Sequence, residues 1–268
     1  MSVIQGILLG FLQGVAEFLP ISSSGHLAVA QNLFGLEEVP LLFDIFLHLA
    51  TLAAVCIYFW RKIWNLLKCL GRWISRKEAT EDDITGRKNI IAIILSTIIT
   101  GILGVVTSKL IPDMSIKVTC AGFLVTALLL IVSSRIGKKN TTEEKPVSKS
   151  QALIIGFMQG IGTLPGISRS GSTIAGALFS GVNQKTAGDY SFIISIPAIL
   201  GAFILELKDL GEVSETVGAA PVIAGCAAAF AVGYISLTVL MKIIRKGKLQ
   251  WFAAYLIPLG ILGMIFFN

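Results

Sequence analysis

Two polar segments of similar sequence interrupt stretches that are otherwise apolar, and both carry residue types that could do chemistry. The first is QGVAEFLPISSSGH at 13–26, and the second is QGIGTLPGISRSGS at 159–172. Glu17 and Arg169 are the only charged side chains of their apolar stretches. An ionisable group costs roughly 3 kcal/mol or more at the centre of a membrane helix. Two isolated charges of opposite sign in matching segments therefore indicate a functional site.

The first segment offers ligands for a cation and for an anion. Gln13 and Glu17 are four residues apart and share one face of a helix. A carboxylate and an amide oxygen so placed could hold a hard divalent cation, together with water and phosphate oxygens. The run after Pro20 offers hydroxyls and backbone N–H groups at the start of a short helix, where anions bind; it comprises Ser22, Ser23, Ser24 and Gly25. His26 closes the run as a candidate proton donor or acceptor.

The second segment repeats the hydroxyl-rich helix entrance and adds a guanidinium, whose fork suits phosphate oxygens. Arg169 is surrounded there by Ser168, Ser170, Gly171, Ser172 and Thr173. Gln159 and Thr163 stand near the places of Gln13 and Glu17, so this copy is interpreted as the non-catalytic half. Together the two copies suit phosphoryl transfer, in which positioning and charge neutralisation do most of the work. The expected substrate is a phosphorylated molecule reached from within the membrane.

Simpler structural interpretations exist for single members of this set. A lone Glu or His can be a hydrogen-bond partner between helices, and a Ser/Gly run can serve close packing. His48 follows Asp44 by four residues in an apolar stretch, so we expect an Asp–His hydrogen bond there rather than a place in the pocket. Arg169 is the hardest to explain structurally, because it is far from a position where it could reach the membrane surface.

The composition is that of an integral membrane protein. Hydrophobic residues make up 54% of the 268 residues, charged residues 14%, and the mean hydropathy is +0.81. The net charge of +6 is concentrated in loops between apolar stretches, where it would set topology and meet anionic lipid, so nucleic acid is not an expected partner. The four cysteines are dispersed and predict neither a disulfide framework nor a zinc site.

Six stretches have the length and polarity of membrane-spanning helices. They lie at about 41–60, 89–111, 118–134, 189–205, 216–241 and 249–268. The two motif segments, about 3–34 and 150–182, are also apolar but are interrupted at their centres by Pro, Gly and Ser.

Loop charges predict how the motif segments enter the membrane. The loops at 61–88, 135–149 and 242–248 are basic, whereas the loop at 206–215 is acidic. If basic loops are cytoplasmic, both ends of the second motif segment lie inside, and the segment must dip into the membrane and return. The first motif segment would dip from the opposite face. Residues 61–88 and 135–149 are expected to be solvated connectors.

The resulting fold class is an all-α membrane protein with six transmembrane helices and two re-entrant helix hairpins that meet near the midplane. The chain is then one membrane domain, 1–268, with a first repeat at 1–136 and a second at 149–268. Each repeat contains a hairpin and three spans. Because three is odd, the repeats face opposite ways, which is an inverted-topology repeat. Its Gly-rich helices permit a homodimer without requiring one.

At the two motifs the sequence resembles the bacterial undecaprenyl-diphosphate phosphatase family (BacA/UppP type). That family is recognised by an (E/Q)xxxE element running into FLP-x-SS-x-GH, and by a PG-x-SRSG-x-T element. Here 13–26 reads QGVAEFLPISSSGH and 165–173 reads PGISRSGST. The stretch FDIFLHLATLAAV at 43–55 is also similar, and the resemblance extends over essentially the whole chain.

The resemblance implies a hydrolase dependent on a divalent cation, Mg²⁺ or Ca²⁺, that converts undecaprenyl diphosphate to the monophosphate. Such an enzyme recycles the lipid carrier of cell-wall synthesis in the bacterial inner membrane, and raised levels confer bacitracin resistance. Glu17 and Gln13 would serve the metal and the attacking group, Ser23 would be the candidate nucleophile, His26 the acid–base and Arg169 the clamp on the diphosphate. Gln13 at the first acidic position lowers the negative charge, so the cation is expected to arrive with the diphosphate.

Three questions stay open at the level of sequence: the identity of the nucleophile, the side of the membrane that presents the substrate, and the choice between hydrolysis and transport. The nucleophile can be Ser23, His26 or a water activated by the cation and Glu17. The topology places the opening of the first hairpin on the extracytoplasmic side. The alternative function is a polyprenyl-phosphate flippase or transporter, alone or combined with the hydrolase, because inverted repeats with broken helices are typical of transporters.

Overall fold

The computed structural model describes residues 1–36, 41–110, 114–140, 143–206 and 217–267, and these ranges contain helices and no strand. Five helices of these ranges are long and apolar enough to cross a membrane, and a pair of helices joined by an 81° bend brings the number to six when it is counted as one span. The predicted all-α membrane fold is therefore confirmed, and the protein crosses the membrane several times.

Within the described ranges, the first half of the chain contains six helices and the second half five. The first six are α1 (Val3–Phe18), α2 (Ser23–Leu33), α3 (Leu41–Tyr58), α4 (Trp60–Ile74), α5 (Glu81–Leu110) and α6 (Ile116–Gly137). The others are α7 (Lys149–Ile161), α8 (Arg169–Phe179), α9 (Gln184–Glu206), α10 (Ala219–Arg245) and α11 (Ala253–Phe266), with a 3₁₀ turn at Leu249–Phe252. The spans are α3, α5, α6, α9, α10 and α11.

Each motif segment forms two short helices joined by a tight turn. In the first, Pro20 disfavours helix at the preceding Leu19, whose ψ of 134° ends α1. Ser22 then turns the chain with a φ of 72° and accepts a hydrogen bond from the N–H of Gly25 as the N-cap of α2. The second segment turns through Gly166, at a φ of 84°, into α8. A helix of 11 residues is about 16 Å long, roughly half of the hydrocarbon core, so these pairs fit the predicted re-entrant hairpins.

The two hairpins begin with the same capping motif. Ser2 and Gln5 form a capping box at the start of α1, and Ser148 and Gln151 form one at the start of α7. Each pair satisfies two backbone N–H groups that have no partner within the helix. The repetition therefore reaches beyond the polar motifs to the first turn of each half.

The halves exchange partners in their packing. Helix α1 of the first half packs along α10 of the second, and α7 of the second packs along α5 of the first. Gly10 and Gly156, which precede Phe in both repeats, mark the closest approach: a Cβ would lie 2.0 Å from the Gly225 carbonyl oxygen at Gly10, and 2.7 Å from Ser96 Cα at Gly156. This exchange agrees with the predicted inverted repeat, whose boundaries at 1–136 and 149–268 stay a prediction.

The connector predicted at 61–88 is wrong. Residues Trp60–Ile74 form the amphipathic helix α4, bent by 81° from α3, and α5 begins at Glu81 rather than at 89. The basic residues of this stretch obscured the helical spacing of its apolar residues, such as Trp60, Trp64 and Leu67. Residues 207–215 of the predicted acidic loop lie outside the described residues, as do the predicted span limits at 111, 216 and 268.

Close packing at Gly10 predicts a sharp difference between two glycines. We expect Gly10→Ala to lower the free energy of unfolding by about 1–3 kcal/mol, because the added methyl group meets the backbone of α10. Gly104→Ala in α5 meets no neighbour within 4 Å and gains up to about 1 kcal/mol from helix propensity. Thermal unfolding in detergent measures both, and equal midpoints for the two variants would contradict the packing.

Candidate active site

Glu17 is the centre of a buried polar cluster that joins the two halves. Its Oε2 accepts hydrogen bonds from Ser23 Oγ at 2.6 Å and from Gln13 Nε2 at 3.1 Å. Its Oε1 accepts from the guanidinium of Arg169, which is 152 residues away in the chain. The structure therefore brings together the two isolated charges that the sequence marked.

Three helix ends place these groups. Glu17 lies in the last turn of α1, while Ser23 and Arg169 are the first residues of α2 and α8. Ser23 and Arg169 are equivalent in the two repeats, and each follows a serine that caps its helix. The N-termini of both short helices thus lie beside the carboxylate, and their positive dipole ends favour an anion there.

A narrow cleft lies next to the Glu17–Arg169 pair. Its polar lining includes Thr51, Ser170, Thr173 and Ser191. Thr173 shares a hydrogen bond with Ser191 of α9, and Ser170 Oγ donates to the Phe18 carbonyl at 3.2 Å. The cleft is therefore bounded by α1, α3, α8 and α9, so side chains of both halves face it.

His48 belongs to this cluster. Its Nε2 lies 3.3 Å from Glu17 Oε2, and its Nδ1 donates to the backbone carbonyl of Asp44 at 2.7 Å. The expected Asp–His hydrogen bond is therefore present through the Asp44 backbone, and the Asp44 carboxylate accepts a separate hydrogen bond from Gln31 Nε2 at 2.8 Å. Because a carboxylate and an unprotonated Nε2 both accept hydrogen bonds, the His48–Glu17 contact needs a proton on one of them. The expectation that His48 has no place in the polar cluster is wrong, because the same ring also contacts Glu17.

His26 has different neighbours. Its Nδ1 donates to the Ser22 carbonyl at 2.8 Å, and its Nε2 lies 2.9 Å from the Tyr255 hydroxyl of α11. Its ring packs on Phe123, with ring centroids 4.9 Å apart. No described hydrogen bond joins His26 to Glu17. Sequence reasoning missed Tyr255, whose only signal is a hydroxyl within an apolar span.

The remaining hydroxyls of the motifs act mainly on the backbone. Ser22 and Ser168 cap α2 and α8, and Thr173 Oγ1 donates to the Arg169 carbonyl at 2.9 Å. Ser172 is fully buried, and its hydroxyl has no partner within the described part of the chain. Ser24 is half-buried on the first turn of α2.

The two predicted glycines bring the hairpins together. A Cβ at Gly25 would lie 2.6 Å from the Phe123 ring, and one at Gly171 would lie 3.2 Å from Pro20 of the other hairpin. Any side chain at Gly25 would therefore push α2 away from α6. These glycines shape the site without contacting Glu17.

The donor set does not fit a resident divalent cation. Glu17 is the only carboxylate in the cluster, and both of its oxygens already accept hydrogen bonds, one of them from a guanidinium. Gln13 turns its amide nitrogen toward Glu17, and its Oε1 is buried without a partner in the described residues. Among those residues no group of three His, Cys, Asp or Glu side chains is arranged for a metal. Hard cations need several oxygen ligands, which this cluster does not supply alone.

Residues 6–262 match the model of a protein family described as Bacitracin resistance protein BacA. The chain belongs to the BacA family. Three similar proteins are each named Undecaprenyl-diphosphatase. The relative from Treponema denticola is 49% identical and covers 100% of this chain and 98% of its own. Those from Methanosphaera stadtmanae and Desulforapulum autotrophicum are 40% and 38% identical, each over 99% of this chain and 98% of its own.

The BacA match includes both polar motifs, the first five spans and most of α11, so the resemblance noted in the sequence is confirmed at the level of the family. The roles of individual residues are a separate question. The geometry shows that Glu17, Ser23, Gln13, Arg169 and His48 are in contact, as a reaction centre requires.

The Glu17–Arg169 pair predicts strong coupling between the two halves. Removing either charge leaves the other buried without compensation, so Glu17→Gln and Arg169→Gln should each destabilise the protein. The double variant should be less destabilised than the sum of the two, by about 1–3 kcal/mol. Thermal unfolding of the four proteins of this cycle measures the coupling, and additive effects would show that the pair is not formed.

Proposed function

We propose that the protein hydrolyses undecaprenyl diphosphate to undecaprenyl phosphate and inorganic phosphate, and so recycles the lipid carrier of cell-wall synthesis. The observation that supports this proposal most directly is the contact of Glu17 with Ser23 and Arg169, which are the first residues of α2 and α8. Apolar helices of a BacA-family chain surround this cluster. A guanidinium and helix N-termini stabilise a phosphate, and a hydroxyl bonded to a carboxylate is a nucleophile with its base. The similar proteins bear the name of this activity, which supports the proposal.

In the proposed reaction Ser23 Oγ attacks the terminal phosphorus. Glu17 acts as the base, because its Oε2 already accepts a hydrogen bond from Ser23 Oγ at 2.6 Å. The bond from the terminal phosphorus to the bridging oxygen breaks, and undecaprenyl phosphate leaves with that oxygen. Water then hydrolyses the phosphoserine, releases inorganic phosphate and restores the serine hydroxyl. Arg169 offsets the charge on the phosphate in both steps.

The two histidines take different parts in this proposal. His26 remains the proposed acid–base group: because its Nδ1 donates to the Ser22 carbonyl, Nε2 is the atom that exchanges a proton. That atom now bonds to Tyr255, which substrate would displace or use as a relay. His48 is a positioning residue, since it contacts Glu17 and is itself oriented by the Asp44 carbonyl.

The divalent cation, Mg²⁺ or Ca²⁺, is proposed to arrive as part of the substrate. Diphosphate oxygens supply the ligands that the protein cluster lacks. Gln13 supports this proposal, because its buried Oε1 has no hydrogen-bond partner among the described residues and amide oxygens are ligands of hard divalent cations. The remaining substrate contacts are proposed for the motif hydroxyls and backbone N–H groups at the two helix entrances.

The proposed location is the bacterial inner membrane, with the site open to the extracytoplasmic side. The concentration of basic residues in the segments 61–88, 135–149 and 242–248, which join or end the spans, supports this orientation. A homodimer stays a prediction, because only one chain is described.

Phosphate release from undecaprenyl diphosphate tests the function directly. We expect Glu17→Ala and Arg169→Ala each to lower kcat/KM by roughly a hundredfold or more, because each removes a group that acts on the reacting phosphate. Arg135→Ala, which removes an exposed arginine of α6, is the matched control and should retain activity. The assay uses detergent-purified protein with Mg²⁺, with Ca²⁺ and with a chelator.

Each arm of this assay has a distinct meaning. Phosphate release that stops in chelator and returns with added cation supports the proposed cation dependence. Unchanged phosphate release in chelator would contradict it. No release by folded wild-type protein with either cation would overturn the hydrolase and leave the transporter as the working hypothesis.

The identity of the nucleophile is open to a trapping experiment. With substrate carrying a radioactive terminal phosphate, rapid acid quenching should leave label on the protein as acid-stable phosphoserine, because Ser23 is bonded to its base. The label should vanish in Ser23→Ala. Label that survives a parallel alkaline quench but not the acid quench would assign the nucleophile to His26, and turnover by Ser23→Ala without label under either quench would assign it to water.

A further inference from the structure

Helix α4 carries a concentration of charge of one sign. Residues 60–77 contain six Lys or Arg and no Asp or Glu, together with three of the four tryptophans of the chain. These tryptophans are Trp60, Trp64 and Trp73. A helix of this composition is typical of segments that lie on a membrane surface.

The apolar residues of α4 form a single exposed stripe. Trp60, Trp64, Leu67 and Ile74 are 52–73% exposed and recur at intervals that place them on one face. On the opposite face, Cys69 is buried, and its sulfur would lie 2.7 Å from a Cβ at Gly86 of α5. The stripe therefore points away from the protein, and none of the described residues covers it.

The basic residues of α4 divide into two groups. Lys62 and Arg72 pair with Asp189 and Asp83, and so fix α4 to α9 and α5. Arg61 and Lys68 have no carboxylate partner among the described contacts. Their charges instead lie over the rings of Trp60 and Trp64, at 5.5 Å and 5.4 Å, beside the apolar stripe.

We propose that α4 lies along the membrane surface and binds anionic phospholipid, with the stripe among the acyl chains and Arg61 and Lys68 at the phosphates. The bend of 81° at the end of the spanning α3 turns α4 toward the plane of the membrane. Tryptophan and basic residues side by side match the interface, where apolar and charged layers meet. This inference goes beyond the proposed function and does not depend on it.

A soluble anion fits this part of the molecule less well. A soluble anion could enter the open cleft of about 660 Å³ between α4, α5 and α9, but two of the basic residues that line it, Lys62 and Arg72, are already paired with Asp189 and Asp83. Lys68 also lines this cleft, whereas Arg61 is not among its lining residues and lies over Trp60 of the apolar stripe. An apolar face bordered by positive charge matches a ligand that has both apolar chains and a negative charge, as an anionic phospholipid does.

Tryptophan fluorescence can test this proposal, because one substitution confines the signal to α4. In Trp251→Phe all three remaining tryptophans lie in α4. This protein is reconstituted into vesicles of phosphatidylglycerol and phosphatidylcholine, in which either lipid in turn carries brominated chains that quench nearby tryptophan. We expect strong quenching in both cases, and more by brominated phosphatidylglycerol at equal mole fraction.

Paired variants of the Trp251→Phe protein measure how far the preference for phosphatidylglycerol depends on the charges of α4. Arg61→Gln with Lys68→Gln should lower the relative affinity for phosphatidylglycerol by on the order of tenfold at low salt. Lys109→Gln with Lys117→Gln removes two exposed charges elsewhere and should leave it unchanged. High salt should reduce the preference of the parent protein.

Three outcomes would overturn the proposal. Equal quenching by the two lipids would show a neutral contact with the bilayer. Absence of quenching would show that the stripe does not reach the acyl chains, as when a second copy covers it. An equal loss of preference in both paired variants would trace the effect to net charge rather than to α4.

Discussion

The ion pair between Glu17 and Arg169 is the constraint on which the rest of this structure depends. Either charge alone inside an apolar bundle would be costly, and together they are tolerated only in contact and with further hydrogen bonds. Ser23, Gln13 and His48 supply those bonds on the carboxylate side. Because the two charges lie in different repeats, neither half can satisfy its own charge. The fold must therefore bring the last turn of α1 to the first residue of α8.

Close helix packing makes that placement possible. Gly10 lets α1 lie against the backbone of α10, and Gly156 lets α7 lie against α5, so each hairpin is held by a span of the other half. Small residues permit this approach in membranes, where van der Waals contact replaces the hydrophobic effect between helices. The breaks after α1 and α7 then turn two helix N-termini toward one point. The exchange of helix partners between the halves is therefore also what assembles the site.

Sequence reasoning reached the hairpins, the spans and the Glu17–Arg169 meeting, because isolated charges and repeated motifs are local signals. It left His48 out of the site, since a spacing of four residues predicts the hydrogen bond to Asp44 but not the contact of the other ring nitrogen with Glu17. It missed Tyr255 because that contact joins segments 229 residues apart. It took α4 for a connector because charge was counted there without helical period. The failures at His48 and Tyr255 concern side-chain contacts, which depend on packing rather than on composition.

The proposed chemistry gives the ion pair a second meaning. Arg169 is bonded to Glu17 as the structure stands, yet the reaction needs Arg169 on phosphate and Glu17 as a base. A diphosphate that enters between α2 and α8 exchanges one anion for another at the guanidinium, so the positive charge stays compensated throughout. The carboxylate loses its strongest partner and becomes more basic, while its other oxygen already accepts the hydrogen bond from Ser23 Oγ. Substrate binding and activation of the base would then be the same event, and an empty site would hold its own base inactive.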